Sequence, residues 1–312
     1  MAYVLLHVPL KKQQLGDVSM TDISVNQNLD VGFNTFQPEK SLRLLSKLKQ
    51  MQPNTLVAPE HSKIVFDEVI HLIDSGTRDA YCSDISDMFR WMSDIKMPQR
   101  PTILDIGANN GLFSLAYASI FKGAQVHSFE PVSFIFDELT KNLQINPQLS
   151  AGIQAHNLGL SNREEILQLS IPAPEQHDRY RRCGPGYQLD TRLFSVLGKG
   201  DKKYDAKFIP LDTWINQQNI SKVDFVKIDV EGYEYPVLEG ALGTLNMFRP
   251  VVMFELNELT LTLSNKSADQ YLRFAEENAY KVYGLQYGFR NRLLKIETTE
   301  QISKVSDLIL IP

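Results

Sequence analysis

Residues 103–111 read ILDIGANNG, and nineteen residues after Gly111 a second apolar run ends in Glu130. A buried strand that ends in Gly107 can turn sharply and bring its backbone N–H groups to a ligand, because glycine tolerates a left-handed backbone. A glutamate at the end of the next strand can accept hydrogen bonds from both hydroxyls of a ribose. The two segments together predict a site for a cofactor that carries adenosine.

The glycine spacing separates two classes of such cofactors. In the dinucleotide pattern G-x-G-x-x-G, the glycines lie closer together and a helix N-terminus faces a pyrophosphate. Asn109 stands where the second glycine of that pattern would be, and its side chain crowds out a pyrophosphate. The methionine end of S-adenosylmethionine carries no phosphate, so the motif favours S-adenosylmethionine over NAD or FAD.

A group of acids follows two later apolar runs. Residues 223–234 read VDFVKIDVEGYE and contain Asp229 and Glu231, and Glu255 ends the run PVVMFE. If the chain stays extended, residues two apart point to one side of the strand. We then expect Asp229 near the methionine ammonium or the methyl-bearing sulfur, with Glu231 farther out, towards the substrate. The alternative is that these carboxylates cap the following helix and favour its N-terminal dipole.

These acids are also the candidates for proton transfer. We predict Glu231, Asp229 and Glu255, in that order, as general bases for an alcohol acceptor. Lys227 can pair with a carboxylate or meet a substrate anion. Hard cations take carboxylate ligands, so the acids could hold a divalent cation, although a metal is not favoured.

The elements that position these residues follow from the apolar pattern after Thr102. The expected strands are 102–107, 124–129, 152–160, one within 223–232, 250–256, 280–286 and 307–311. The expected helices are 110–121, capped by Asn109 or Asn110, 132–146, one carrying Val237 to Leu245, and 269–279. This alternation predicts an α/β domain over residues 101–312, with a mostly parallel sheet covered on both faces and ligands at the carboxyl ends of its strands.

Two regions fall outside that alternation. Residues 1–100 contain three amphipathic runs and predict a helical N-terminal extension that covers the substrate or forms a homodimer contact. A strand ILQLSIP is followed by a basic insertion at about 173–206. The insertion is either a solvated loop or a lid in which arginines recognise an anionic substrate, since guanidinium groups match phosphate and carboxylate geometry. The candidate substrate-binding arginines are Arg179, Arg181 and Arg182.

Composition excludes several classes of protein. The 312-residue chain has a net charge of −5 and a pI of about 5.7, which argues against nucleic acid as a partner. Its cysteines, Cys82 and Cys183, are too few for a disulfide framework and indicate free thiols. The N-terminus does not read as a signal peptide, and no apolar stretch is long enough to cross a membrane, so we expect a soluble cytoplasmic protein.

Taken together, these segments resemble the FkbM family of S-adenosylmethionine-dependent methyltransferases over roughly residues 100–312. The first motif alone would indicate any class I methyltransferase, whereas the string KIDVEGYE is more specific to the family. The resemblance rests on ILDIGANNG, FEP at 129–131, NLGLS at 157–161, LDTW at 211–214 and VDFVKIDVEGYEYPVLEG at 223–240.

The resemblance implies a Rossmann-like fold with a seven-stranded sheet whose last strand is antiparallel. It also implies O-methylation of a hydroxyl on a sugar, glycan or secondary metabolite, with S-adenosylhomocysteine as the second product. Family members often carry a histidine two residues after the acid of the fifth strand, where this chain has Asn257. Asparagine cannot act as a general base, so we place Asn257 among the candidate substrate-binding residues. The predicted cofactor site comprises Asp105, Gly107, Ala108, Asn109, Gly111, Glu130, Pro131, Asn157, Leu158 and Asp229.

Three other functions stay open. The carboxylates could orient an amine or peptide nitrogen for N-methylation. The basic insertion could serve 2′-O-methylation of RNA, but the Lys-Asp-Lys-Glu arrangement of many ribose methyltransferases is not evident and the net charge is negative. The domain could also be a catalytically inactive module that binds S-adenosylmethionine, although the intact loop, Asp229 and Glu231 argue against this. His127 and His156 are interpreted as packing or surface residues.

Overall fold

The computed structural model describes residues 97–171, 202–256, 261–262, 264–286, 292–302, 305 and 307–312, together with two short strands near the N-terminus. The strands are β1 (Thr55–Val57), β2 (Lys63–Val65), β3 (Thr102–Ile106), β4 (Gln125–Phe129), β5 (Ile153–His156), β6 (Gly159–Ser161), β7 (Glu165–Ile171), β8 (Lys202–Pro210), β9 (Phe225–Ile228), β10 (Val251–Glu255), β11 (Lys281–Gln286), β12 (Arg292–Lys295) and β13 (Asp307–Ile311).

The helices carry the alternation that the apolar pattern predicted. They are α1 (Leu112–Ile120), α2 (Ser133–Ile145), α3 (Pro147–Ser150), α4 (Leu211–Gln217), α5 (Glu234–Glu239), α6 (Leu242–Phe248), α7 (Ala268–Glu277) and α8 (Thr299–Ile302). None of these described helices is long and apolar enough to cross a bilayer.

The central sheet has the strand order β12-β11-β13-β10-β9-β3-β4-β5. The five strands from β10 to β5 run parallel, and β13, the last strand of the chain, runs antiparallel to both of its neighbours. This confirms the predicted mostly parallel α/β sheet with an antiparallel last strand. The sheet has one strand more than the seven expected, because β12 pairs with β11 at the edge. That strand is four residues long with a basic residue at each end, too short to show a period and typical of an edge.

The sheet is buried on both faces, as the near-continuous apolar strands predict. Leu104 and Ile106 of β3 belong to one hydrophobic core cluster, whereas Ile103, whose side chain points to the opposite face of the sheet, belongs to another. In β9 the same alternation places Val226 in the first cluster and Phe225 in the second. The helices on either face therefore shield the strands, and the ends of the strands are left as the place for a site.

Two element predictions are wrong. The single strand predicted at 152–160 is divided, because the chain turns at Asn157 and Leu158, where the Leu158 N–H donates to the His156 carbonyl at 2.9 Å. Strand β5 joins the central sheet, and β6 joins a second sheet in the order β6-β8-β7. Strand β8 begins at Lys202, so the last residues of the basic insertion predicted at about 173–206 belong to a strand.

The single helix predicted after Gly232 is two helices, α5 and α6. The Asp212 carboxylate accepts hydrogen bonds from the N–H groups of Gly243 and Thr244, each at 2.7 Å, and so caps the start of α6. A carboxylate at a helix N-terminus also interacts favourably with the helix dipole. Asp212 of the LDTW segment therefore stabilises the beginning of a new helix, which apolar periodicity alone does not show.

The first hundred residues are described in part. Strands β1 and β2 form an antiparallel pair and lie between two of the predicted helical runs, where the sequence indicated no element. The helical runs themselves, Cys82, Cys183 and residues 173–201 of the insertion lie outside the described residues. The division into an N-terminal extension and a methyltransferase domain stays a prediction.

Register brings the predicted site residues to one edge of the sheet. Ile106, the last residue of β3, is paired with Phe129 on one side and with Ile228 on the other. Phe254 of β10 is paired with Ile228 in turn. The loops that follow β3, β4, β9 and β10 therefore meet at the carboxyl ends of the parallel strands.

Candidate functional site

The loop after β3 is held against the chain that follows β9. Gly107 has a φ of +79°, and a Cβ atom at this position would lie 1.9 Å from the backbone oxygen of Asp229. The N–H groups of Gly107 and Ala108 both donate to the Phe129 carbonyl, at 3.0 and 2.9 Å. The absent side chain of Gly107 thus makes room for the protein's own backbone, and this close approach couples the two loops.

The second glycine of the motif starts helix α1. Gly111 has a φ of +82°, and a Cβ atom there would lie 3.2 Å from Leu139 Cγ of α2. Asn110 Oδ1 accepts a hydrogen bond from the Leu112 N–H at 3.2 Å, and the Asn142 amide donates to the Asn110 carbonyl at 2.7 Å. The N-cap position of α1 is Gly111, so the predicted cap at Asn109 or Asn110 is wrong, and Asn110 supports the start of the helix from the position before the cap.

Glu130 joins the loop after β3 to the loop after β4. Its Oε2 accepts from the Asn109 N–H at 3.0 Å, and its Oε1 accepts from the Val132 N–H at 2.9 Å. Burial raises the pKa of this carboxyl to about 7, while the two amides favour the ionised form and limit the rise. A carboxylate has about four lone-pair positions, so each oxygen can accept one further hydrogen bond. This capacity fits the two hydroxyls of a ribose.

Asn157 fixes the loop after β5 beside Glu130. Its Nδ2 donates to the carbonyls of Glu130 and Pro131, at 2.9 and 3.2 Å, and Ser133 Oγ donates to its Oδ1 at 3.2 Å. Leu158 packs against the larger core cluster. The structure thus brings Pro131, Asn157 and Leu158 to the Glu130 side of the edge, where the cofactor site was predicted.

A buried lysine joins two of the predicted acids. Lys227 Nζ lies 3.1 Å from Asp229 Oδ2 and 3.6 Å from Asp105 Oδ1, and it stacks over the Phe113 ring at 4.7 Å from the centroid. The other oxygen of Asp105 accepts from Ser114 Oγ at 2.5 Å. The predicted pairing of Lys227 with a carboxylate is present, with Asp229 and Asp105 as the partners, and Ser114 binds the other oxygen of Asp105.

The charges of this group settle which acid is most strongly ionised. Burial raises the pKa of Asp229 and the Lys227 ammonium lowers it, and the pKa as a whole lies below its ordinary value. For Asp105, burial dominates and raises the pKa although Lys227 lowers it. Burial lowers the pKa of Lys227, yet the two aspartates outweigh this and raise it. Asp229 is thus an ionised carboxylate paired with the Lys227 ammonium group. A direct contact of Asp105 with the cofactor stays a prediction.

The chain after β9 does not remain extended, so the alternation argument for Asp229 and Glu231 is wrong. Strand β9 ends at Ile228, and Glu231 has a φ of +53°, followed by Gly232 with a φ of +97°. A left-handed backbone at a residue other than glycine is sterically unfavourable and needs support from its surroundings. Glu231 is 9% exposed and therefore lies at the boundary between core and solvent.

Glu255 lies among other acids at this edge. Burial raises its pKa well above the ordinary value, and the charges of Asp229, Glu231 and Asp307 raise it further. Glu255 and Asp307 are direct partners across β10 and β13, so their side chains share one face of the sheet. The turn after β9 and the end of β10 together therefore form an acidic group next to the glycine loop.

Sequence reasoning missed Asp307 and Glu234. Asp307 opens the last strand, and only the register of β13 against β10 places it opposite Glu255. Glu234 is fully buried, and its Oε1 accepts from the N–H groups of Val230 and Gly232, at 3.3 and 3.1 Å. The string KIDVEGYE contains Glu234, but nothing in its spacing shows that the carboxylate turns back onto the chain before it.

Other predicted groups are placed as follows. Nδ1 of His127 lies 3.3 Å from Nε2 of His156, and both rings contact Trp214 edge-on. Burial lowers the pKa of each histidine to about 4. This confirms the interpretation of both histidines as packing residues. Among the residues that the structure describes, no three His, Cys, Asp or Glu side chains are grouped so that they could hold a metal ion. Arg179, Arg181, Arg182 and Asn257 lie outside the described residues.

Comparison with known proteins identifies relatives of this chain. A family model described as the methyltransferase FkbM domain matches residues 105–282. The protein "Methyltransferase sdnD" of Sordaria araneosa is 30% identical over 186 residues, which are 51% of this chain and 64% of that protein. "Methyltransferase 1" of Beauveria bassiana is 25% identical over 150 residues, 46% of this chain and 59% of that protein. The chain thus matches less than two thirds of the length of either relative.

One solved structure aligns with this chain at a low TM-score and low sequence identity. The methyltransferase FkbM of Methylobacillus flagellatus aligns with a TM-score of 0.44 and 13% identity, over 87% of this chain and 59% of the other. The family match itself covers more than half of the 312 residues. Both the glycine loop and the turn that carries Glu231 lie inside the matched range. The chain therefore has the class I methyltransferase-like α/β fold and belongs to the FkbM methyltransferase domain family.

Proposed function

We propose that this chain transfers a methyl group from S-adenosylmethionine to a hydroxyl oxygen of a sugar, a glycan or a secondary metabolite. The observation that carries the proposal is the meeting of two groups at one sheet edge. One group is the glycine loop with Glu130, and the other is the set of acids after β9 and β10. The backbone oxygen of Asp229 lies against Gly107, so the two groups adjoin.

The residues that would hold the cofactor are those of the glycine loop and its neighbours. Glu130 keeps one acceptor position on each oxygen for the ribose hydroxyls. Asp229, ionised through its pairing with Lys227, is placed to receive a cationic ammonium. When bound, S-adenosylmethionine supplies a methyl carbon that a sulfonium activates as an electrophile.

The protein's part in the reaction is to orient the acceptor and to remove its proton. Because Asp229 is paired with Lys227 and its pKa lies below the ordinary value, it is a weak base. Glu255, whose pKa is raised by burial and by three neighbouring acids, is a stronger base. Glu231 stands between them in the chain and at the boundary with solvent. We therefore rank Glu231 and Glu255 ahead of Asp229 as the general base.

One observation favours a second acceptor class. The charges of Asp229, Glu231 and Asp307 all raise the pKa of Glu255, so several carboxyl groups lie close together at this edge. Such a surface attracts a protonated amine and repels the polyanionic backbone of RNA. N-methylation of an amine or peptide is therefore the alternative, and RNA the acceptor least favoured by the described residues.

The test is a methyl-transfer assay on the purified chain. The protein is incubated with S-adenosylmethionine and panels of glycans, hydroxylated metabolites and amines, and products are analysed by mass spectrometry for a gain of about 14 Da together with S-adenosylhomocysteine. Transfer to a hydroxyl supports the proposal, and transfer only to nitrogen supports the alternative. A protein that binds S-adenosylhomocysteine but methylates no acceptor in any panel is a binding module, and the proposal is then wrong.

A further inference from the structure

We propose that Glu234 is the positioning residue of the methyl-transfer site: its buried carboxyl holds the left-handed turn that presents Glu231 and keeps that turn seated on the glycine loop. The catalytic part of this inference rests on the proposed function, whereas the structural part does not. The turn is defined here as residues Asp229 to Tyr233, between β9 and α5.

The first argument is the pattern of hydrogen bonds inside the turn. Glu234 Oε1 accepts from the N–H of Val230 at 3.3 Å and from the N–H of Gly232 at 3.1 Å. These two amides flank Glu231 on either side in the chain. The Gly232 N–H lies in the peptide that follows Glu231, whereas the Val230 N–H lies in the peptide between Asp229 and Val230. One carboxyl oxygen thus ties together the two ends of a three-residue segment centred on Glu231, and this restricts the direction in which the Glu231 side chain leaves the backbone.

The second argument is the backbone conformation that the two hydrogen bonds enclose. Glu231 has a φ of +53° and Gly232 a φ of +97°, so two consecutive residues occupy the left-handed region. Glycine adopts this region without steric cost, but glutamate does not. A strained conformation persists only where the surrounding structure determines it. Here the Tyr233 N–H donates to the Val230 carbonyl at 3.4 Å across the two residues, and the Glu234 carboxyl adds a side-chain contact to the backbone on both sides of Glu231.

The third argument is the contact of the turn with the cofactor loop. The Asp229 carbonyl occupies the place that a side chain at Gly107 would need, and the Asp229 N–H donates to the Ile106 carbonyl at 2.9 Å. A displacement of the turn therefore moves the loop that follows β3. Glu234 is linked in this way to both halves of the site, although it does not itself reach solvent.

The fourth argument is the burial of the carboxyl group. Glu234 is 0% exposed, and among the described residues its Oε2 has no hydrogen-bond partner. An ionisable group that remains in such a place costs free energy and is replaceable by an apolar residue unless its acceptor oxygen is needed. The two amide hydrogen bonds that Oε1 accepts are the reason why an acceptor oxygen is required at this position.

Asp212 provides a matched control elsewhere in the fold. Its carboxylate also accepts two backbone N–H groups, from Gly243 and Thr244, and it holds the start of α6. It differs from Glu234 in that no residue of the candidate site lies between its two amides. Asp212→Ala therefore removes a comparable cap without acting on the turn.

The experiment compares Glu234→Ala, Glu234→Gln and Asp212→Ala with the wild-type protein. Amide hydrogen exchange resolved by NMR follows Val230 and Gly232, calorimetry follows S-adenosylhomocysteine binding, and turnover is measured at saturating S-adenosylmethionine with the acceptor from the assay above. Glutamine keeps the acceptor oxygen, so Glu234→Gln retains exchange rates and turnover within about threefold of wild type. Glu234→Ala speeds exchange of both amides at least about tenfold and lowers turnover per cofactor-bound protein by a similar factor.

Three outcomes overturn the inference. Glu234→Ala turns over as fast as Asp212→Ala, or glutamine fails as badly as alanine, or the two amides exchange at the same rate in Glu234→Ala as in wild type. If Glu234→Ala does not fold, the wild-type protein decides the structural part. Its Val230 and Gly232 amides must then be protected about 100-fold or more although neither lies in a helix or strand. A wild-type protein that methylates nothing contradicts the proposed function alone, because the exchange rates still test the turn.

Discussion

Glu130 and Glu234 each hold a turn through two backbone amides, but they differ in what they leave for a ligand. In Glu130 each carboxyl oxygen accepts from one amide, whereas in Glu234 a single oxygen accepts from both. Glu130 is 6% exposed and Glu234 is 0% exposed. One carboxylate can therefore order a loop and also bind a ribose, while the other can only order a loop. The comparison predicts that one residue type, bound to two backbone amides in both places, serves ligand binding at Glu130 and positioning at Glu234.

The largest expected effect separates the two glutamates by cofactor affinity. In the proposed site two ribose hydroxyls donate to the Glu130 carboxylate. Glu130→Ala removes these two hydrogen bonds, which are worth roughly 3 kcal/mol together, and weakens S-adenosylhomocysteine binding at least about 150-fold. Glu234→Ala, which removes no ligand contact, changes the affinity less than about tenfold. Isothermal titration calorimetry measures both. Equal losses in the two variants would remove the distinction between a binding and a positioning glutamate.

The second expected effect concerns the residue that Glu234 positions. Glu231→Gln keeps the shape of the side chain but cannot accept a proton, so turnover falls about 100-fold while S-adenosylhomocysteine affinity stays within about twofold. Glu255→Gln is the companion variant, since both acids are candidate bases. If calorimetry shows that Glu231→Gln loses cofactor affinity and keeps its turnover per bound protein, Glu231 belongs to the cofactor side of the site.

The third expected effect tests the contact between the two turns. Gly107→Ala places a Cβ atom where the Asp229 backbone oxygen lies, in a left-handed conformation, and we expect a loss of about 2 kcal/mol in the free energy of unfolding. Gly111→Ala, whose Cβ would meet only a leucine side chain at 3.2 Å, should lose about 1 kcal/mol. Urea denaturation gives both values. A larger loss at Gly111 than at Gly107 contradicts the close approach that couples the turns.

The smallest expected effect is a pH dependence of stability. Burial raises the pKa of Glu130 to about 7 and that of Glu234 to about 8, from an ordinary value of 4.5. A raised pKa means that the folded protein binds the proton more tightly than the unfolded chain does. The stabilisation is fully present below pH 4.5 and is lost as pH rises through about 7 for Glu130 and about 8 for Glu234.

Chemical denaturation between pH 5 and pH 9 checks this difference, with the range set by those two values. Glu130→Gln should remove the part of the loss that begins near pH 4.5 and ends near pH 7, and Glu234→Gln the part that continues to about pH 8. Saturating S-adenosylhomocysteine should move the first step and leave the second in place, because the proposed function gives Glu130, and not Glu234, a contact with the ligand. If the ligand also shifts the pH-dependent step of Glu234, the distinction between a ligand-binding Glu130 and a positioning Glu234 is wrong.

Much of the fold was predictable from local pattern. The strand-turn-helix at ILDIGANNG and the acid after β4 follow from apolar runs and turn residues that the sequence displays directly. The antiparallel last strand was expected from the family resemblance and not from the pattern. The division of residues 152–160 into β5 and β6 was not predictable, because it depends on β6 pairing with β8 about fifty residues later in the chain. The start of α6 was missed for the same reason, since its cap, Asp212, comes from a distant segment.

The site was predictable in its members and less so in its geometry. Asp229, Glu231 and Glu255 do meet at one edge, but the strand alternation used to orient them ends at Ile228. The left-handed backbone at Glu231 lies inside a turn that the Glu234 side chain contacts, and a glutamate at position 231 gives no signal for that conformation. Asp307 could be found only from the register of an antiparallel pair. Long-range pairing was thus the information that the sequence pattern lacked.

The most direct test of the central claim is which adenosine cofactor the wild-type chain binds. In one calorimetric titration series, S-adenosylhomocysteine and NAD are added separately to the purified protein, with Glu130→Ala as the matched variant. We predict one S-adenosylhomocysteine per chain with micromolar affinity, no heat of binding for NAD, and loss of the signal in Glu130→Ala. Binding of NAD without S-adenosylhomocysteine, or S-adenosylhomocysteine binding that Glu130→Ala leaves unchanged, would contradict the account.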